Sequence, residues 1–263
     1  MNKNYTQITE KVKNYIREKA GSSQVLIGLS GGIDSSLLCL LAIEALGSDK
    51  VKALTVRTSS TSESEENIEL VQSFAKEHNL QLGVVSIEEV RKDVIKNLGF
   101  NLGSYRDIST MDARLIGLMI QETTRKEGRI CLGTINGTER LTGWYPKGSL
   151  VGDYSPLGGV FKMQEKGMAK QLGLDHLIST ISESAGRICS VSCVAGSCVE
   201  LEGVKYVDLD EILYTYETSS KADLYANLMK LDIKQNIILT VLERVSFIAH
   251  KMDVFPDYCR VNF

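Results

Sequence analysis

Residues 25–36 read Val-Leu-Ile-Gly-Leu-Ser-Gly-Gly-Ile-Asp-Ser-Ser, and no other stretch constrains the fold as tightly. Its apolar start has strand length, Ser30-Gly31-Gly32 makes a turn, and Leu37 to Ala42 reads as a buried helix. A strand, a glycine turn and a helix N-terminus form an anion site. Glycine lets backbone approach the ligand, the first helical N–H groups have no intrahelical acceptor, and the macrodipole favours negative charge there. Ser30, Ser35 and Ser36 add hydroxyl donors. Asp34 is the odd member, because a carboxylate beside a phosphate repels it unless a cation lies between them. The stretch is therefore expected to hold a phosphate chain together with Mg²⁺. The plain alternative is an ordinary strand-to-helix turn, and the Walker pattern with its lysine is absent.

The rest of the chain alternates strand and helix patterns. Tyr5 to Ala20, Ser62 to His78, Glu88 to Leu98 and Thr110 to Arg125 have helical periodicity, and Val51 to Val56 and Leu82 to Ile87 read as strands. Arg129 to Thr134 is a fourth strand and its exit, Asn136 to Ser155 a polar loop, and Val160 to Leu172 a helix. Leu177 to Thr180 is strand-like, and Val207 to Tyr216, Leu224 to Leu231 and Ile233 to Lys251 are helical. This order predicts an α/β protein, a doubly wound parallel sheet flanked by helices, with residues 1–263 as one domain. Ligands on such sheets bind beyond the carboxyl ends of the strands, where Ser30, Arg57 and Thr134 fall.

A net charge of −3 provides no general attraction for nucleic acid. Met1 to Ala20 is polar, unlike a signal peptide, and no apolar run approaches the roughly 20 residues that span a bilayer. A soluble, cytoplasmic protein is expected, with its 6 cysteines as reduced thiols or metal ligands rather than disulfides.

The string Ser30-Gly31-Gly32-Ile33-Asp34-Ser35 resembles the pyrophosphate loop of the N-type ATP pyrophosphatases, the PP-loop family, with its adenine nucleotide alpha-hydrolase-like fold. Gly133-Thr134, Glu139, Thr142-Gly143-Trp144, Lys147-Gly148, Asp153, Pro156-Leu157, Lys162 with Gln164, and the His250-Lys251 ending together resemble NAD synthetase. That resemblance implies an ATP-dependent ligase that adenylates deamido-NAD, releases pyrophosphate and forms NAD with free ammonia, since no glutaminase domain is expected. It implies a homodimer and the cofactors ATP and Mg²⁺. It implies that Ser30, Gly31, Gly32, Ser35 and Ser36 hold phosphates and that Asp34 and Glu139 bind Mg²⁺. Arg57, Arg114 and Thr134 would line the ATP site, Lys162 and Ser184 contact its phosphates, and Lys147, Asp153, His250 and Lys251 face the second substrate or close the site. Asp34, Lys162 and Glu139 carry the expected catalysis. Trp144 is read as a packing residue, and His78 and His176 as surface residues.

The chain departs from the family pattern on the substrate side. Ile116 stands where a second arginine is common, Gly148-Ser149 where Gly-Asp is, Glu183 where a proline is, and Cys198-Val199 where an acidic pair is. Cys189, Cys193 and Cys198 lie in that altered segment. They read as plain loop residues, as a [4Fe–4S] or zinc site, or as a redox-active or sulfur-donating thiol. A diverged enzyme that adenylates another acceptor and transfers sulfur through this loop is the alternative expectation.

Overall fold

A computed structural model describes residues 1–59, 62–99, 105–149, 152–178, 201–252 and 255–262. Its centre is a 6-stranded sheet: β1 (Val25–Gly28), β2 (Val51–Arg57), β3 (Gln81–Ser86), β4 (Ile130–Leu132), β5 (Tyr154–Ser155) and β6 (Asp257–Tyr258). The order is β3-β2-β1-β4-β5-β6 and every pairing is parallel. Ile27 of β1 lies opposite Ala53 on one side and Leu132 on the other. Parallel neighbours need a crossover, and helices supply it. β1 is buried through Val25, Leu26 and Ile27, as expected of a strand covered on both faces.

The helices divide between the two faces. α1 (Tyr5–Ala20), α2 (Ile33–Leu46), α3 (Ser62–Glu77) and α7 (Lys162–Gln171) share one core with Val25, Ile27 and Ala53. α2 is buried along most of its length, and its Leu37, Leu38 and Leu41 are fully buried, each contributing roughly 1.5–3 kcal/mol of hydrophobic stabilisation. On the opposite face α5 (Tyr105–Glu127), which follows α4 (Glu88–Leu98), packs Ile120 on Leu26, Leu54 and Cys131. The chain winds outward from β1 to β3, then crosses to β4 on the other side of β1. The switch point therefore falls between β1 and β4, where such sheets leave a crevice.

A further layer gathers α6 (Gly137–Thr142), α9 (Tyr206–Thr218), α10 (Leu224–Leu228) and α11 (Gln235–Phe247). Leu141, Phe161, Leu209, Ile212, Leu213 and Val241 form its core. α8 (Asp175–Ile178) and α12 (Ala249–Met252) complete the described elements.

Several local expectations are corrected. The polar stretch 136–155 is not one loop: it holds α6 and β5. The cause is a capping box, in which Asn136 accepts from the Glu139 amide and Glu139 accepts from the Asn136 amide. Residues 175–178 form a helical turn rather than a strand, and residues 179 and 180 lie outside the described residues. The helix expected over 233–251 is interrupted at Ile248, which closes α11 before α12 begins.

β6 docks closely against the turn that precedes α7. A Cβ on Gly159 would collide with the backbone carbonyl of Cys259, and backbone cannot swing aside. Gly159→Ala is expected to lower stability by about 3 kcal/mol in urea unfolding. A wild-type midpoint in that variant would show that the C-terminal strand is not tightly seated.

Candidate active site

The glycine-serine loop after β1 leaves the sheet at the switch point. Gly32 caps α2 without a side-chain acceptor of its own, so the first turn presents backbone donors to a ligand. The serines brace the loop. The Ser30 amide donates to Ser35 Oγ at 3.1 Å, and that hydroxyl donates to the Gly32 carbonyl at 3.1 Å. Gly31 has φ +82°, and a Cβ there would come within 2.6 Å of Asn67 Oδ1. Asn67, from α3, donates to the Ser30 carbonyl at 3.2 Å and straps the loop from above. Sequence reading missed Asn67, since it sits in the polar face of a helix with no motif around it.

Asp34, on the first turn of α2, faces Lys162, the first residue of α7. Lys162 Nζ lies 2.5 Å from Asp34 Oδ1 and 2.9 Å from Glu165 Oε2. Lys162 is 6% exposed and Glu165 is fully buried. Burial alone would lower the Lys162 ammonium, but the charges of Glu165, Asp34 and Glu139 outweigh it and hold the group well above its ordinary value. Glu165 is pushed up by burial and by Asp34, against the pull of Lys162. Glu139 is pushed up to about 7, by burial and then by the charge of Asp34. Asp34, Glu139 and Lys162, expected as one set, are thus brought together from α2, α6 and α7.

The start of α7 is fixed by a network that sequence reading also missed. The Lys162 amide donates to Thr138 Oγ1 at 2.9 Å, and Thr138 Oγ1 donates to Asp210 Oδ1 at 2.7 Å. Asp210 Oδ2 accepts from the Met163 amide at 2.7 Å. A buried carboxylate on α9 therefore caps the N-terminus of α7, where negative charge is favoured.

A cavity of about 880 Å³ opens at the ends of β1, β2 and β4. Ser30, Arg57, Asn67, Thr134 and Trp144 are among its lining residues. Trp144 also packs on the C-terminal core. Arg57 is paired with Glu65 at 2.7 Å. Other expected residues have different duties. Arg114 is exposed and donates to the Lys147 carbonyl at 3.1 Å, and neither residue lines the cavity. Asp153 accepts from the Cys131 amide at 2.8 Å and so fastens β4. Lys251 is 1% exposed and donates to the carbonyls of Gly143, at 2.9 Å, and Tyr145, at 2.8 Å. It satisfies orphan carbonyls after α6 and holds the Trp144–Pro146 wall of the cavity. His78 stacks partly on Phe74, and His176 is exposed. Ser184, Cys189, Cys193, Cys198 and the side chain of His250 lie outside the described residues.

A parallel doubly wound sheet with a glycine-serine loop at its switch point and an acidic cluster beside a buried lysine defines a nucleotide-dependent α/β enzyme. The chain belongs to the NAD synthase family, whose model matches residues 4–254. The NH(3)-dependent NAD(+) synthetase of Pyrococcus horikoshii is 31% identical over 251 residues, covering 95% of this chain and 91% of the relative. That of Thermococcus sibiricus is 28% identical over 254 residues, covering 95% and 94%. Among solved structures, the NH3-dependent NAD synthetase from Campylobacter jejuni, in complex with the nitrate ion, superposes with a TM-score of 0.73 at 23% identity, covering 94% of this chain and 96% of that one. NMN synthetase from Francisella tularensis gives 0.72 at 19% identity, covering 95% and 97%, a likeness of fold. The chain is an ATP-dependent, AMP-forming carbon–nitrogen ligase of NAD biosynthesis. The sulfur-transfer alternative finds no support among these relatives. Among the described residues no group of three or more His, Cys, Asp or Glu is arranged to hold a metal ion, and no helix is long and apolar enough to cross a membrane.

Asp210 offers a test of the network. Burial, working against the Thr138 and Met163 donors, pushes its carboxyl up from 3.8 to about 7. A raised carboxyl stabilises the fold through its protonated form, so the contribution is full below pH 3.8 and lost as pH rises through about 7. Asp210→Asn has no such titration. It should gain on the wild type between those values by at most about 1.4 kcal/mol per pH unit, read by denaturant unfolding at stepped pH. Parallel pH profiles would contradict the assignment. Lys251→Met should cost about 2 kcal/mol or more in unfolding free energy, because buried carbonyls lose their donor. An unchanged melt would mean that Lys251 faces solvent or ligand instead.

Proposed function

We propose that this chain is an ammonia-dependent NAD synthetase acting on deamido-NAD. The single observation that carries the reading is the convergence of Asp34, Glu139 and Lys162 from the segments that follow β1, β4 and β5. The names of the relatives support ammonia as nitrogen donor.

The chemistry begins with a poor acyl donor. An oxygen of the nicotinate carboxylate attacks the α-phosphorus of ATP, the bond to the bridging oxygen breaks, and pyrophosphate leaves. The product is a mixed anhydride with AMP. Neutral ammonia then attacks its acyl carbon, AMP departs with the bonding pair, and the nitrogen loses a proton to give the amide. The protein's part is positioning and electrostatics.

The phosphate chain lies on the loop of Ser30, Gly31, Gly32, Ser35 and Ser36, with Asn67 keeping that loop closed against α3. Lys162 brings positive charge to the phosphates, and Ser184 is a further candidate contact. Arg57 and Thr134 line the nucleoside side. Asp34 and Glu165 contact the Lys162 ammonium, and the Glu139 carboxyl acts on it electrostatically, so oxygen ligands from α2 and α6 stand near one another. Hard oxygen ligands fit Mg²⁺, which commonly takes one or two carboxylates and completes its shell with phosphates and water. Asp34 and Glu139 would hold it, and it would supply neutralisation of the leaving pyrophosphate. Lys147 and His250 are the acceptor-side candidates. We read the chain as one domain, working as a cytoplasmic homodimer.

The test is direct. Purified protein with ATP, Mg²⁺, deamido-NAD and ammonium should form NAD with matching AMP and pyrophosphate. No NAD above the blank would overturn the acceptor assignment. Asp34→Asn should lose about 100-fold or more in pyrophosphate release while remaining folded, since Glu165 still pairs with the Lys162 ammonium. Near-normal turnover would refute its place at the phosphates.

A further inference from the structure

Lys162 is held between carboxylates of different character. Asp34 sits on the glycine-serine loop with its side chain 23% exposed, whereas Glu165 has none of its side chain exposed. Asp34 is also the residue with a competing task, since the proposed role of the loop turns it toward the cation and phosphates. An ammonium left alone in so buried a position would be costly and free to turn. Glu165 is the partner that a nucleotide does not reach.

Glu165 is itself fixed. It stands three residues after Lys162 on α7, a spacing that puts both on one helix face. Its Oε2 accepts from Asn136 Nδ2 at 3.3 Å. Asn136 is fully buried, and its Oδ1 accepts from the Glu139 amide at 2.9 Å as the cap of α6. One chain of contacts therefore runs from the helix start that carries Glu139, through Asn136 and Glu165, to Lys162 Nζ. Glu165 Oε1 has no hydrogen-bond partner and is buried, so the carboxylate is present at a desolvation cost that its packing alone does not offset.

We propose that Glu165 is a positioning residue for adenylation: it anchors the Lys162 ammonium in register with Glu139 when Asp34 is engaged by the nucleotide. This rests on the reading that Lys162 meets the phosphates of ATP. Glu165 touches no substrate and acts through Lys162.

The experiment is a double-mutant cycle on binding of ATP with Mg²⁺ and no acceptor, measured by calorimetry, so that Asp34 is engaged while the nucleotide is not consumed. Lys162→Met should weaken ATP about tenfold. If it does not, the phosphate role of Lys162 fails, and the proposal with it. Glu165→Gln keeps the side-chain volume and one acceptor. It should weaken ATP about tenfold in the wild-type background and cause no loss in the Lys162→Met background. In steady state it should lower kcat/KM for ATP to a similar extent and leave KM for ammonia unchanged. Thermal melting provides the fold control: Glu165→Gln should melt as a folded protein in both backgrounds, so that a loss of ATP binding is not a loss of structure. Loss of ATP binding in both backgrounds would assign Glu165 to the fold alone, and loss in neither would remove it from the site. Either result overturns the proposal.

Discussion

A single buried ammonium, Lys162, organises the functional end of this molecule. Its carboxylate partners come from the glycine-serine loop and from its own helix, and its backbone amide is tied to α6. Burying that charge without partners would cost several kcal/mol. The surrounding structure can therefore be understood as the means of keeping it satisfied. α7 must begin where it does, Asp210 must cap it, and α6 must start at Asn136, or a charge is left unpaired in the interior.

The sheet makes this possible by its winding. Because β1 has β2 on one side and β4 on the other, the strand order reverses between β1 and β4, where such sheets leave a crevice. The first loop supplies backbone donors and Asp34, the second Thr134 and Glu139. Neither contains a complete site. α7 closes the arrangement from a third direction, and the cavity takes its walls from α5 and from the segment that Lys251 holds in place.

Much of this was legible in the chain itself. Val25 to Ser36 announced a strand, a glycine turn and a buried helix, because hydrophobic runs and glycine placement are local properties. Strand order was not local, but the alternation of elements left few arrangements open. Asn136 was legible in principle: Asn-x-x-Glu is a capping box, yet its polar residues read equally well as a loop. Asp153 and Lys251 show the opposite difficulty. Their spacing matches a substrate-facing pattern, while the fold uses the first to fasten β4 and the second to satisfy carbonyls after α6.

The sequence by itself determined the class of fold, the position of the glycine-serine loop and three of the charges that meet beside it, Asp34, Glu139 and Lys162, but not Glu165 or Asp210. What it determined depends on residue types in short, regular patterns. Only the tertiary structure decided which of those charges are partners. Thr138 and Asp210 are 72 residues apart, and Lys162 and Asp34 are 128 apart. No periodicity connects such positions. What a buried carboxylate does depends on what faces it, and burial makes the difference between a solvated acid and Glu165, held beside a lysine that it shares with Asp34.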